Sequence, residues 1–408
     1  MAAIRLARAG ASVSLFDPSH PREKPCGGGV TGRALGLIAG AVDISSLPAI
    51  VVKSAAVEPP APLRLVASVN ASIVEVELTD RGLTPDSSLA VLSRAVFDAA
   101  LLGAALDAGA RLVAEKVVNV ARRERSVVVA TQLGEHVADF VIGADGANSL
   151  VRKKFSRPFT RAEVSIAAGY FVRGTSGADI AVKCMAEQPG YLWSFPRPDH
   201  LAVGICAPAA ERASAADLAG QSLAWITARG LRHGARLEPY AWPIPSVGFT
   251  DAARLRLAGP GWMLAGDAAG LVDPLTREGI YYALLSGQWA ADALTGDPAR
   301  PHAAYETRLR DEIHPELSRA AALSGLFFSP AFSNLFVTAL RTSGPVREVF
   351  RDLVAGTQPY DGLKRRLLAT REWKLAGRAA LMVVQSTPSF FLRHYAYRAP
   401  TNRSAQGE

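Results

Sequence analysis

The side chains in this chain whose type and setting suit chemistry are three aspartates at strand ends, one cysteine among glycines and an aromatic triplet. Asp267 belongs to the run Trp262-Met263-Leu264-Ala265-Gly266-Asp267-Ala268-Ala269-Gly270, where an apolar stretch is broken by one carboxylate among residues of almost no side chain. Such a break lets a ligand lie against the backbone. After Pro274 the residues Ile280, Ala283, Leu284, Ala290, Ala291 and Leu294 follow a helical period, so a helix start carrying free N–H groups and partial positive charge is aimed at the same spot. The ligand expected there is flat, polar and able to become anionic.

A flavin meets those requirements. Asp267 would accept hydrogen bonds from ribityl hydroxyls, and the helix start beginning near Gly279 and Ile280 would stabilise negative charge on a reduced ring. The same letters also read as a plain strand–turn–helix corner. The second candidate is Cys26-Gly27-Gly28-Gly29, whose glycines allow a ring to approach the backbone with the thiol beside it. Gly27–Gly32 matches GxGxxG letter for letter. It follows Pro25-Cys26 rather than a strand, so it fails as a dinucleotide fingerprint. Tyr191, Trp193 and Phe195 alternate along Tyr191–Pro196 and face one side of a strand, as a pocket wall or as sheet packing.

The elements that must position these groups follow from pattern. Residues 1–17 read as a helix stopping at Gly10, then a strand Val13–Phe16 ending in Asp17. In a dinucleotide fold that is the second half of the first βαβ unit, with the acid on the adenosine ribose and the glycine fingerprint about 20 residues before it. Here that position falls ahead of Met1, so the expectation is a start placed downstream of the fingerprint and weak FAD binding by a protein beginning at Met1. Strand-like runs at Ile50–Val57, Leu63–Val69, Ile73–Leu78 and Leu89–Leu92 precede a helix Ala95–Ala108 opened by Arg94. Strands Lys116–Val120, Ser126–Thr131 and Phe140–Ala144 lead to Asp145-Gly146, and strand-like runs return over 165–249. The uncharged run Ala320–Leu340 is long enough to span a bilayer, but polar residues and Pro330 interrupt it, so two buried helices are expected.

Composition narrows the class. The chain has 408 residues, 49% hydrophobic and 20% charged, enough for two or three domains. Its three cysteines are widely spaced, which argues against a disulfide framework and for a reducing, cytoplasmic compartment. The seven histidines form no ligand pairs, and no metal is expected. The net charge of +8 comes with no nucleic-acid motif. From Arg341 to Arg403 basic residues outnumber acidic ones among apolar pieces such as Ala379–Val384 and Phe390–Leu392, a solvated face or a peripheral membrane contact.

The motifs in order resemble the geranylgeranyl reductases, within the glutathione-reductase-2 class of FAD-dependent oxidoreductases. Lys24–Gly29 is similar to their KPCGG segment, Val141–Gly146 to GADG with Arg152 after it, Pro189–Pro196 to YxWxFP, Trp262–Gly279 to the second FAD signature, and Asp352–Leu363 to a C-terminal segment. One departure is Arg277, where the family commonly has the first glycine of Gly-Glu-Gly-Ile. The resemblance implies an α/β fold in which a Rossmann-like FAD-binding domain (1–50, 88–160 and 250–300) carries an antiparallel substrate sheet (51–87 and 161–249) and a helical C-terminal region (301–408). It implies cofactor contacts from Asp17, Cys26, Gly27, Gly28, Gly29, Arg94, Val117, Asp145, Gly266, Asp267, Pro274, Gly279 and Ile280, and catalytic roles for Cys26, Tyr191 and Trp193. The implied chemistry is hydride transfer from reduced flavin to an isoprenoid double bond, with NADPH or another reductant as donor. A flavin monooxygenase or halogenase, or a non-catalytic membrane-associated relative, is the alternative.

Overall fold

The structure, a computed structural model, describes residues 1–60, 73–78, 89–186, 188–209, 214–248, 254–296 and 299–382. The expected strand Leu63–Val69 and the apolar piece Phe390–Leu392 lie outside them. Two strand pairs are parallel: Ser14–Phe16 beside Arg111–Val113, and Val141–Gly143 beside Trp262–Leu264. They belong to separate sheets, and both line one cleft. The helix Ala2–Arg8 packs on the helix Ile280–Gly296, and Gly287 permits this, since a Cβ there would lie 3.3 Å from the Ala2 nitrogen. The helix Arg94–Asp107 stands where Ala95–Ala108 was expected.

Gly29–Thr31 is a strand antiparallel to Leu89–Leu92, with Ala49–Val51 on that strand's other side. The glycine run therefore feeds a small antiparallel sheet and does not open a βαβ turn, as its context indicated.

The large sheet has seven strands in the order Arg236–Pro245, Val164–Arg173, His200–Pro208, Tyr191–Pro196, Ile180–Cys184, Ser54–Glu58, Val74–Glu77. It departs from the antiparallel expectation at one place, where Ile180–Cys184 runs parallel to Ser54–Glu58. The two strands come from distant parts of the chain, so no hairpin forces them to run opposite. One face is covered by the helix Ala215–Ala228, which buries Leu218, Trp225 and Ile226 against Ala168, Val203 and Ile205. The other face carries Tyr191, Trp193, Cys206 and Tyr240.

Beyond residue 300 the chain is helical: Pro301–Arg308, a π turn Leu309–Ile313, then His314–Phe327, Pro330–Thr342, Gly344–Ala355, Leu363–Ala369 and 373–382. The second and third of these α-helices account for the run Ala320–Leu340. They are not wholly buried, because Leu323, Leu326, Phe327, Phe332 and Phe336 line the cleft. A bend of 100° separates them at Ser329-Pro330, where the proline supplies no amide hydrogen and Ser329 caps the new helix. Among the described residues no single helix is long and apolar enough to cross a membrane, and only this bent pair passes that test jointly.

Candidate active site

The glycine loop is fixed from behind. Gly28 has φ +80°, and a Cβ there would overlap the Leu92 carbonyl oxygen, so only glycine fits. Gly27 and Gly29 lie against the Phe195 ring, 3.0 and 3.1 Å from where a Cβ would stand. The fully buried Arg197 donates to the Cys26 carbonyl at 2.6 Å and pairs with Glu23 at 2.5 Å. Glu23 also accepts from Ser93 Oγ at 2.6 Å and from the Arg94 amide at 3.0 Å, at the start of the helix Arg94–Asp107. Burial works to raise the Glu23 pKa, but the Arg197 charge and these hydrogen bonds outweigh it and hold the carboxyl below its usual range.

Cys26 shares the cleft with a charged cluster. Arg94 reaches its sulfur at 3.6 Å and Asp98 at 2.9 and 3.0 Å, while Lys24 pairs with Asp98 at 2.5 Å. Across the cleft lies Asp267, its pKa raised by burial and drawn back by Arg94 and Lys24. Among the described residues no side chain hydrogen-bonds this carboxylate. The turn before it is held by Gly266, with φ +55° and its amide donating to Ser286 Oγ at 2.9 Å, and Gly279 brings its Cα close, since a Cβ there would be 3.3 Å from Asp267 Oδ1. Arg152, fully buried, stacks on Phe159 at 3.6 Å and donates to the Ala268 carbonyl at 2.9 Å, which supports this turn from outside the cleft. Burial, with Arg157 adding repulsion, lowers its pKa to about 10.

Asp17 accepts from the Ser19 amide at 2.8 Å and from Arg22 at 3.3 Å. Asp145 accepts from Ser149 Oγ at 2.5 Å and the Leu150 amide at 2.6 Å, so part of its capacity caps the helix Leu150–Phe155. Both line the cleft, as do Cys26, Gly27, Gly28, Gly29, Arg94, Val117, Gly266, Asp267, Gly279 and Ile280. Pro274 is the exception. It is buried and does not line the cleft, because the turn points its neighbours Asp273 and Leu275 there instead.

The cleft is one cavity of about 1970 Å³, roughly twice the upper end for drug-sized ligands of about 1000 Å³. Tyr191, Trp193 and Phe195 all line it, so the triplet packs the sheet and walls the pocket at once. The Tyr191 hydroxyl donates to the Thr276 carbonyl at 2.9 Å, and its ring stacks on Phe328 at 6.1 Å. Beyond that contact Phe327, Phe332, Phe336 and Phe350 continue the lining. The turn facing the wall is tied down by Asp273, which accepts from the Leu275 and Thr276 amides at 2.7 and 2.9 Å and from Tyr360 Oη at 2.8 Å. Arg277 in this turn has φ +63°, a conformation costing a non-glycine residue about 1 kcal/mol or more.

The donor set fits FAD: an unpaired carboxylate at a glycine turn, and a glycine loop with no room for a Cβ. No family model matches the chain. A menaquinone reductase of Mycobacterium tuberculosis is 31% identical over 372 residues, spanning 85% of this chain and 83% of that protein. The chain belongs to the geranylgeranyl reductase family of FAD-dependent oxidoreductases. A digeranylgeranylglycerophospholipid reductase of Methanothrix thermoacetophila is 29% identical over 258 residues, covering 58% of this chain and 64% of that protein. In fold the family member resembles a geranylgeranyl bacteriochlorophyll reductase-like protein from Thermoplasma acidophilum, with TM-score 0.71 and 20% identity over 90% of this chain and 95% of that one. A flavin-dependent brominase shares the fold at TM-score 0.65 and 19% identity, covering 91% and 95%.

Pattern reading missed Glu23, Arg197 and the phenylalanines. The last have a signal in the repeated Phe of Leu326–Phe336, a spacing that core packing shares. Replacing Arg197 by Met strands Glu23 and should cost about 3 kcal/mol in urea unfolding at pH 7. A lowered carboxylate pKa contributes stability above the unfolded value, about 4.3, and loses it as pH falls through the folded value, so the gap between wild type and R197M should shrink below about pH 4. An unchanged gap at pH 3 would remove Glu23 as the cause. Gly28→Ala should cost more than about 1 kcal/mol in the same assay.

Proposed function

We propose that this chain is an FAD-dependent reductase that saturates carbon–carbon double bonds in the isoprenoid chain of a lipid quinone. The observation that carries the reading is the continuity of the cavity: it runs from the glycine loop and Asp267, past Tyr191, Trp193 and Phe195, into the phenylalanine-lined end. An apolar extension of that kind suits a long hydrocarbon better than a small polar substrate. The relatives named menaquinone reductase match most of the chain, which favours a quinone over a diphosphate as the carrier of the chain.

FAD, when bound and reduced, supplies a hydride to one alkene carbon, and the other carbon takes a proton. Gly27, Gly28 and Gly29 would leave room for the ring against the backbone, and Asp267 would accept from the ribityl hydroxyls. The aromatic wall excludes water and holds the alkene flat. Cys26, kept in place through its carbonyl by Arg197, presents a thiol to the reacting region. NADPH or another soluble reductant renews the electrons. Leu363 and Leu367 border the cavity on a helix that also carries Lys364, Arg365 and exposed Leu368, and Trp373 just beyond is 65% exposed. With the three free cysteines this supports a cytoplasmic enzyme that touches the membrane periphery to take up its lipid.

Purified protein saturated with FAD, reduced and kept anaerobic with menaquinone, should yield product heavier by two hydrogens per bond in mass spectrometry. Trp193→Ala should lower turnover about tenfold, with FAD affinity changing less. Oxygen-dependent addition of a hydroxyl or halide, without saturation, would assign the chain to the monooxygenase and halogenase chemistry of the same fold instead.

A further inference from the structure

Arg277 is held in a conformation that favours glycine, yet its side chain lies on the cavity. Its Nη1 donates to Ser246 Oγ, which is also 2.7 Å from Ser165 Oγ, so the guanidinium is anchored against the end of the large sheet. Its Nε is buried with no partner, and among the described residues it pairs with no carboxylate. Ser246 follows the strand Arg236–Pro245, on which Trp242 and Ile244 alternate toward the same side. Both line the cavity, and Trp242 is a large aromatic left 45% exposed. Tyr191 closes the other flank through its bond to the neighbouring Thr276 carbonyl.

From these observations we infer that Arg277 and Trp242 form the head-group site of the substrate: Trp242 offers a flat apolar face, and Arg277 donates to a carbonyl oxygen at the edge of a planar ring. This rests on the reading of the protein as a reductase of isoprenoid lipids and names the part of the lipid that is recognised. One arginine beside an indole suits a neutral quinone ring better than a diphosphate, which draws several cations. The tail is then left to the phenylalanines.

Arg277→Gly removes the donor and relaxes the backbone, so it should fold at least as stably, and Arg277→Lys keeps charge without the planar fork. FAD-saturated protein would be titrated with a menaquinone bearing a short side chain, with squalene and with geranylgeranyl diphosphate, following tryptophan fluorescence. R277G should bind the quinone ten- to a hundredfold more weakly, R277K by an intermediate factor, and squalene unchanged, with the flavin midpoint potential unmoved. Equal weakening of quinone and squalene, unaltered quinone binding, or tighter binding of the diphosphate than of the quinone by wild type would overturn the assignment, as would a shifted flavin potential with quinone affinity intact. Arginine-dependent quinone binding without any saturation would keep this site and reject the proposed reaction.

Discussion

The ion pair between Glu23 and Arg197 joins three parts of the protein that the sequence keeps far apart. Glu23 is on the loop after the first strand and also accepts from the start of the helix Arg94–Asp107, and Arg197 directly follows the strand that carries the aromatic wall. Neither partner could be buried alone. An unpaired guanidinium in the interior costs several kcal/mol, and so does a stranded carboxylate, so each side chain fixes the other's place. The geometry of the glycine loop follows, because the same guanidinium holds the Cys26 carbonyl. What faces the cleft on that side is thus set by groups that do not face it.

On the opposite side the equivalent work is divided between one cation and one carboxylate, each bonded mainly to backbone groups. Arg152 supports the Gly266–Ala269 turn through the Ala268 carbonyl, and Asp273 organises the next turn through two amides and Tyr360. The Tyr360 bond also attaches the C-terminal helices to the turn. The two walls are therefore held differently, one through the Glu23–Arg197 pair, the other largely through charged side chains bonded to backbone.

The strands, most helices and the residues lining the cleft were legible in the sequence because they depend on local letters. Asp267 in its glycine turn, the three glycines after Cys26 and the alternation of Tyr191, Trp193 and Phe195 announce themselves within a few residues. Glu23 and Arg197 did not, since an acid and a base 174 positions apart carry no pattern, and each alone looks like a surface charge. The parallel pairing of Ile180–Cys184 with Ser54–Glu58 was hidden for the same reason: strand direction across a sheet is a property of the tertiary path. The phenylalanines after Leu326 were visible but ambiguous, because a helix flank that lines a cavity and one that packs a core share the same spacing.

The phenylalanines lie on helices to either side of the bend at Ser329-Pro330 and on the helix Gly344–Ala355. These helices supply neither the Cys26 loop nor the Gly266–Ala269 turn, and no partner to the Glu23–Arg197 pair. On the proposed reading, substitutions there would alter how far a hydrocarbon extends while leaving the Cys26 loop and the Gly266 turn in place. On the same reading, chain-length preference could change through one peripheral segment, with the residues proposed to hold FAD unaltered.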